Sequence, residues 1–463
     1  MMNSRVTERL AKLAANIRFE EIPETVVSKA KDCILDSIGT AVAGSASPAS
    51  VMVWDVLSSA GDHTDESTVL GRSMKTSCID AAFVNGTSAH SIEMDDFHRK
   101  GVVHPAVTVI PAALAAAEKQ KSKGSELIVA AVMGYEAVCR IGIATGVSQY
   151  ERGFHPTSTC GVFGAAVASG RLWGLDALSL ANALGIAGSF AGGLREWRAE
   201  GALTKPLQVG RAAQNGVLGA ILASVGYTGP TTVLEGNFGF CGAYGKRDSL
   251  EEAFDGLGDS FEIENISFKP FASCRFTHPA IEGVLRLKAE KEIEPSEIEE
   301  VLVKLSREMY RGVMWPEERK YKPETVSDAQ FSLPYCIAAA LIRGGVLLSE
   351  FSSDCIHDPE LLELGQRIRA EVCPQCEAVF PDQTRQVVEV TMKDGQKYTY
   401  QADYAKGDPE NPMTKEELHE KFIRLASPVL GESSAYNVLQ IIDNLEAHED
   451  LHRFYELLCS REV

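Results

Sequence analysis

The sequence contains no phosphate-cradling P-loop, no G-x-S-x-G nucleophile elbow and no dinucleotide fingerprint. Its glycine-containing segments 161–170 and 186–193 sit between helical patterns with no strand before them, which excludes those nucleotide and hydrolase readings. Aromatic residues are few, at 7%. Cations are also scarce: 45 Lys and Arg against 64 Asp and Glu leave a formal charge of −19. Such a field repels phosphate backbones and anionic lipid, so neither nucleic acid nor a membrane is expected as a partner. No segment reaches 18 uninterrupted apolar residues, and the best candidate, 126–145, carries Glu136 and Arg140. The opening residues alternate charges with a helical apolar stripe and lack the continuous apolar core of a signal peptide. Eleven cysteines are scattered from Cys33 to Cys459, several in apolar helical contexts, as buried free thiols are in a reducing compartment. A cytoplasmic protein is the expectation.

What is present is a chain of 463 residues with 45% hydrophobic and 24% charged side chains, the average for globular domains. From 1 to 265 the pattern is helical. Leu10, Leu13, Ala14 and Ile17 recur at one helical face, and Val27, Ala30, Ile34, Ile38 and Ala41 continue the period after Pro23. Ala/Gly/Val-rich segments follow at 106–118, 127–147, 159–172, 177–194 and 209–226, where small residues let buried helices approach closely. From 266 to 402 the signal changes: VLVKLS at 301–306 alternates, and VVEVTMKDGQKYTY at 387–400 reads as a hairpin turning at Asp394-Gly395. The segment 328–344 between them is helix-like. Thr414-Lys415-Glu416-Glu417 offers a capping box, and helical periodicity then runs to the end. The expected fold is mainly α: a large all-helical domain built from both chain ends (1–265 and 403–463), plus a smaller α+β domain at 266–402.

The densest polar cluster, HSIEMDDFHRKGVVHPAV, sets Glu93, Asp95 and Asp96 among His90, His98 and His104, directly before an apolar helix. Acids and bases beside buried sequence are where pKa values are tuned for use near neutral pH; a capped, solvated helix end is the plainer alternative. Asp95, Asp96, His98 and His104 are also competent metal ligands, but their spacing matches no known metal signature. The single CPQC at 373–376 has no second pair for a zinc ribbon and reads as a surface loop rather than a strand-to-helix turn. His155 precedes Pro156 and a Thr/Ser run that offers a helix cap. Lys205 enters an otherwise uncharged helical stretch, either as a snorkelling stem or as a carboxylate clamp. Lys269, Cys274, Arg275 and His278 gather where the helical pattern meets the α+β pattern, and Arg suits bidentate carboxylate binding, an interdomain salt bridge being the alternative.

Six runs carry a resemblance: NGTSAHSIEMDDFHRKGVVHPAVTVIPAALAAAE (85–118), FHPTSTCGVFGAAVASGRLWGLD (154–176), LTKPLQVGRAAQNGVLGA (203–220), VLEGNFGF (233–240), FKPFASCRFTHPAI (268–281) and DAQFSLPY (328–335). In this order they resemble the MmgE/PrpD family, which includes 2-methylcitrate dehydratases, cis-aconitate decarboxylases and iminodisuccinate epimerases. The resemblance implies a helical main domain, an α+β lid with the pocket between them, a homodimer, and activity without metal or organic cofactor. The family's two His-Pro pairs fall on His104-Pro105 and His155-Pro156, its Thr-Lys on Thr204-Lys205 and its Lys-Pro on Lys269-Pro270. Glu93 stands where relatives usually have Asp, and Phe97 replaces the Thr of the usual DDTH. The DFNDTW-type run of dedicated 2-methylcitrate dehydratases is missing.

The implied chemistry moves a proton on carbon beside a carboxylate. Glu93, His104, His155 and Lys205 are the expected catalytic residues: His104 or Glu93 moves the proton, His155 supplies one, and Lys205 stabilises enolate charge. Asp95, Asp96, His98, Lys269, Arg275 and His278 are expected to bind a small di- or tricarboxylate. Dehydration of a hydroxy-polycarboxylate is the leading expectation. Cis-aconitate-type decarboxylation and iminodisuccinate-type epimerisation are the alternatives, and a non-catalytic carboxylate-binding homologue is the alternative of a different class.

Overall fold

The computed structural model describes residues 5–59, 64–245 and 249–459. The chain divides into two compact units: residues up to 198, 202–267 and from 414 onward form the first, and 199–201 with 268–413 the second. The protein is mainly α with an α+β portion.

In the first unit the apolar stripes become buried helix faces. Leu10, Ala14, Ile34, Ile38 and Ala41 lie inside the helices Val6–Asn16 and Glu24–Gly44 or on their inner faces. The Ala/Gly/Val-rich segments form the helices Ala106–Gln120, Gly124–Glu151, Pro156–Leu172, Ala177–Gly188 and Thr204–Ser224. Their small residues are a packing requirement: a Cβ on Gly164 would lie 2.7 Å from the Gly134 carbonyl oxygen and would overlap Val138. Among the described residues Gly124–Glu151 is the one helix long and apolar enough to span a membrane, but it is a core helix. Its two interior charges pair with each other, Arg140 Nε donating to Glu136 at 2.7 Å, and the guanidinium also holds the Ala253, Asp255 and Ser260 carbonyls. The first unit is mainly helical, as expected. Two short antiparallel pairs interrupt it, Ser67–Thr68 with Lys75–Thr76, and Phe97–His98 with Ile266–Ser267.

The C-terminal helix Lys415–Leu430 opens with the capping box, Thr414 N donating to Glu417 at 2.7 Å and Glu417 N to Thr414 Oγ1 at 3.2 Å. From it Lys421 reaches Asp36 at 2.5 Å and the Met94 carbonyl at 2.7 Å, with both charged side chains essentially inaccessible. The tail thus braces the segment that follows His90. Lys421→Ala takes a buried cation away from Asp36, so an unfolding free energy lower by about 3–5 kcal/mol is expected, read from urea denaturation.

The second unit is built on a four-stranded sheet in the order Ile368–Val372, Ile298–Leu305, Gln386–Met392, Lys397–Ala402. The first two strands are parallel and the others antiparallel, and the last two form the hairpin at Asp394-Gly395. The helix His278–Lys291 packs on the sheet, with Gly283 against Val388 and Tyr400. The helix-like segment 328–344 becomes two helices, Val326–Gln330 and Leu333–Arg343, divided at Ser332, whose side chain caps the second. CPQC is not a plain surface loop. Cys373 follows the strand Ile368–Val372 directly and precedes the short helix Pro374–Glu377, so the run is a strand-to-helix turn.

Candidate active site

The helix Cys78–Ala89 ends at His90, and the chain then turns back on itself before the helix Ala106–Gln120 begins. Two non-glycine residues in this turn have left-handed backbone, Glu93 at φ 55° and the β-branched Val102 at φ 53°. Such conformations persist only where the surroundings hold them. Here Asp96 does much of the holding. Its carboxylate accepts the Ala106 N–H at 3.1 Å and the Tyr135 hydroxyl at 2.8 Å, tying the turn to two helices. Burial pushes the Asp96 pKa up to about 7, against the pull of the Tyr135 hydrogen bond.

This turn brings His90 and His104 to one carboxylate oxygen. Asp95 Oδ2 lies 2.8 Å from His90 Nδ1 and 2.9 Å from His104 Nδ1. His104 Nδ1 is also 2.6 Å from the Asp96 carbonyl oxygen. A carbonyl only accepts, so His104 Nδ1 carries hydrogen and its Nε2 is the atom left for chemistry. His104 retains 15% side-chain exposure while His90 and Asp95 have none, so of these three it is the one a ligand can reach.

Two further imidazoles do the opposite. His90 is held neutral by burial and by the Lys205 charge, which together outweigh Asp95 and push its pKa well down. Its ring stacks on His155 with centroids 5.7 Å apart. Burial pushes the His155 pKa down to about 3 in spite of a hydrogen bond to Gln208. Gln208 donates its amide N–H to the Leu194 carbonyl, so its oxygen faces His155 Nδ1 at 2.9 Å and Nδ1 carries the hydrogen. The Thr/Ser run after Pro156 does not cap its helix as expected. Ser158 instead donates to the Gly192 and Gln208 carbonyls and Thr159 to Gln149 Oε1, fixing the ground around His155.

Lys205 completes the cluster. It stands in the first turn of Thr204–Ser224, where a cation opposes the helix dipole, and it is offset by an ion pair with Glu93. Its ammonium lies 5.6 Å from the centre of the Trp197 ring, which meets His155 edge-on at 5.9 Å. The left-handed turn at Glu93 is thus locked by the ion pair that Glu93 makes. Phe97 packs on the His104 ring at 5.1 Å, an apolar wall where the family pattern has a hydroxyl.

The family comparison bears on both units. The MmgE/PrpD N-terminal domain model matches residues 8–253 and the MmgE/PrpD C-terminal domain model residues 271–447. The chain belongs to the MmgE/PrpD family. Similar members of the family are proteins named cis-aconitate decarboxylase. One from Aspergillus terreus is 30% identical over 98% of this chain and 96% of its own length. Those of mouse and human are 27% and 28% identical, over 100% and 97% of this chain and 95% and 94% of their own.

In this MmgE/PrpD chain, Glu93, Asp95, His104, His155 and Lys205 converge, and four of the other expected residues are engaged elsewhere. His98 is corrected from substrate binding to structure: Gly101 N donates to its Nδ1 at 3.1 Å and its Nε2 meets Glu262 at 3.1 Å, leaving no ring nitrogen for a ligand. Asp96 is likewise spent on Ala106 and Tyr135. In the second unit Arg275 binds Asp408 at 2.7 Å and the Ala405 and Lys406 carbonyls, while His278 sits between the Arg275 guanidinium and the Ser273 carbonyl. Both are buried, and these contacts clamp the 405–408 turn. Lys269 is also buried within the second unit. Sequence reasoning passed over His90, Gln208 and Trp197 as site residues. Gln208 was within reach, since it lies three residues after Lys205 on the same helix face.

His90, Asp95 and His104 offer three atoms within 4.8 Å of one another that could ligate a metal ion. An ion taking His104 Nδ1 would have to displace the hydrogen that this nitrogen shares with the Asp96 carbonyl. Turnover is therefore expected to survive exhaustive dialysis against a chelator. A loss restored by one divalent ion would put a metal on these three residues.

Proposed function

We propose that this protein is a lyase that decarboxylates a small unsaturated polycarboxylate of the cis-aconitate type, with His104 as the proton donor. The observation that carries the reading is the contrast among the three imidazoles. One, His104, is backed by a carboxylate and keeps some exposure, while His90 and His155 are held neutral. Dehydration needs a base at carbon and a separate acid for the leaving hydroxyl, and a His155 with pKa about 3 is a poor acid near neutral pH. Decarboxylation with allylic shift needs one proton only. The bond to the departing carboxylate breaks and releases CO2, and its electron pair forms a new double bond. The old double-bond pair moves to the carbon beside another carboxylate, which takes the proton from His104 Nε2. Lys205 stabilises the charge that develops there, and solvent returns the proton to His104. The names of the full-length relatives support the same reaction class.

The test is incubation with cis-aconitate in heavy water, following CO2 release and proton NMR together. One CO2 and one deuterium on carbon per substrate consumed is the expected result. Loss or gain of water without CO2 would instead establish the dehydratase reading, and binding without turnover the carboxylate-binding homologue. Phe97 and Glu93 predict a substrate preference that differs from relatives carrying Thr and Asp at these positions, so the assay extends to citrate-like hydroxy acids and aspartate-derived imines.

A homodimer and a cytoplasmic location are part of the same proposal. Leu203 and Leu207, one turn apart at the start of Thr204–Ser224, are exposed, as is Phe238, and such apolar residues suit a subunit interface. Analytical ultracentrifugation is expected to give twice the 50.1 kDa chain mass.

A further inference from the structure

The Cys373-Pro374-Gln375-Cys376 turn takes no part in the site above. It follows an edge strand, and Cys373 N extends the ladder by donating to the Leu305 carbonyl at 2.9 Å. The chain then closes one turn, with Cys376 N and Glu377 N donating to the Cys373 carbonyl at 3.1 and 2.9 Å. Residues three apart in one turn fall within the Cα separation of roughly 4.4–6.8 Å that a disulfide bridges.

Their surroundings are unequal. Cys376 is buried with its thiol directed at the Lys304 carbonyl, 3.6 Å away, and burial pushes its pKa up to about 12. Cys373 is partly exposed, and its thiol donates to Gln375 Oε1 at 2.9 Å. Burial opposes its ionisation, but the backbone N–H groups of Cys376 and Gln375, the Cys376 thiol and the Lys304 charge outweigh it and lower its pKa. An accessible attacking thiol beside a buried resolving thiol is the arrangement thiol–disulfide exchange requires. Of the other nine cysteines only Cys274, Cys355 and Cys459 are not buried, and none belongs to a C-x-x-C pair.

From this geometry we propose that Cys373 and Cys376 form a redox-active dithiol that is oxidised to an intramolecular disulfide by low-molecular-weight disulfides. The Cys373 thiolate attacks one sulfur of the reagent RSSR. The reagent's S–S bond breaks, RS⁻ leaves and takes a proton from solvent, and a mixed disulfide remains on Cys373. Cys376 gives its proton to solvent and attacks the Cys373 sulfur, expelling the second RS⁻, which is protonated in turn. Two protein thiols are oxidised to one disulfide, and RSSR is reduced to two RSH.

The experiment equilibrates the reduced full chain with mixtures of oxidised and reduced glutathione, quenches with acid, alkylates under denaturing conditions and digests with trypsin. Cleavage after Arg369 and Arg385 releases a peptide, 370–385, that holds Cys373 and Cys376 and no other cysteine. This peptide is expected to lose two hydrogens and escape alkylation at glutathione ratios where Cys274, Cys355 and Cys459 still alkylate fully. Cys376→Ser is expected to trap glutathione on Cys373, and Cys373→Ser to leave Cys376 unmodified. The proposal is overturned if peptide 370–385 stays a dithiol under conditions that already modify the other exposed cysteines. It is equally overturned if the wild-type chain accumulates the mixed disulfide and does not resolve it.

Discussion

His104→Gln is expected to lower turnover about a thousandfold or more, within the range a positioned proton donor contributes, and to leave substrate affinity within a few-fold. The glutamine amide N–H can still meet Asp95 and the Asp96 carbonyl, the partners that His104 Nδ1 has at 2.9 and 2.6 Å, so the turn keeps its anchor. What it lacks is a titratable proton to place on carbon. Steady-state kinetics, with affinity from calorimetry, read both. Normal turnover with weak binding would make His104 a substrate anchor. The proton source would then be sought at Glu93, Asp95 or His155.

The helical body was legible because its cues are local: apolar residues at one helical face in Val6–Asn16 and Glu24–Gly44, a capping box at Thr414, and Asp394-Gly395 between alternating runs. Local cues also marked the His90–His104 segment, whose acids and imidazoles are adjacent in sequence. They could not say which of those groups turn inward. His98 and His104 look alike in sequence, yet His98 is paired with Glu262, 164 residues away, and only tertiary structure supplies such a partner. Arg275 poses the same difficulty, since the carboxylate it meets is Asp408, 133 residues away. The CPQC turn escaped because its preceding strand is mostly solvent-facing and lacks the apolar alternation by which a strand is recognised.

Lys205→Ala is expected to reduce turnover at least about a hundredfold, the scale of removing one preorganised charge from developing oxyanion density. The protein should lose stability as well, because Glu93, only 4% exposed, loses the Lys205 ammonium. Breaking such a buried pair costs about 3–5 kcal/mol, lessened here because the lysine itself sits unfavourably in the first turn of its helix. The two effects have different remedies, and that separates them. In the double variant Lys205→Ala/Glu93→Gln the buried negative charge is gone, so the unfolding midpoint should return towards the wild-type value while turnover stays low. Recovery of both would mean that Lys205 serves only to neutralise Glu93 and to hold the left-handed turn at φ 55°. Recovery of stability alone, with Glu93→Gln by itself keeping its turnover, places the ammonium in the chemistry.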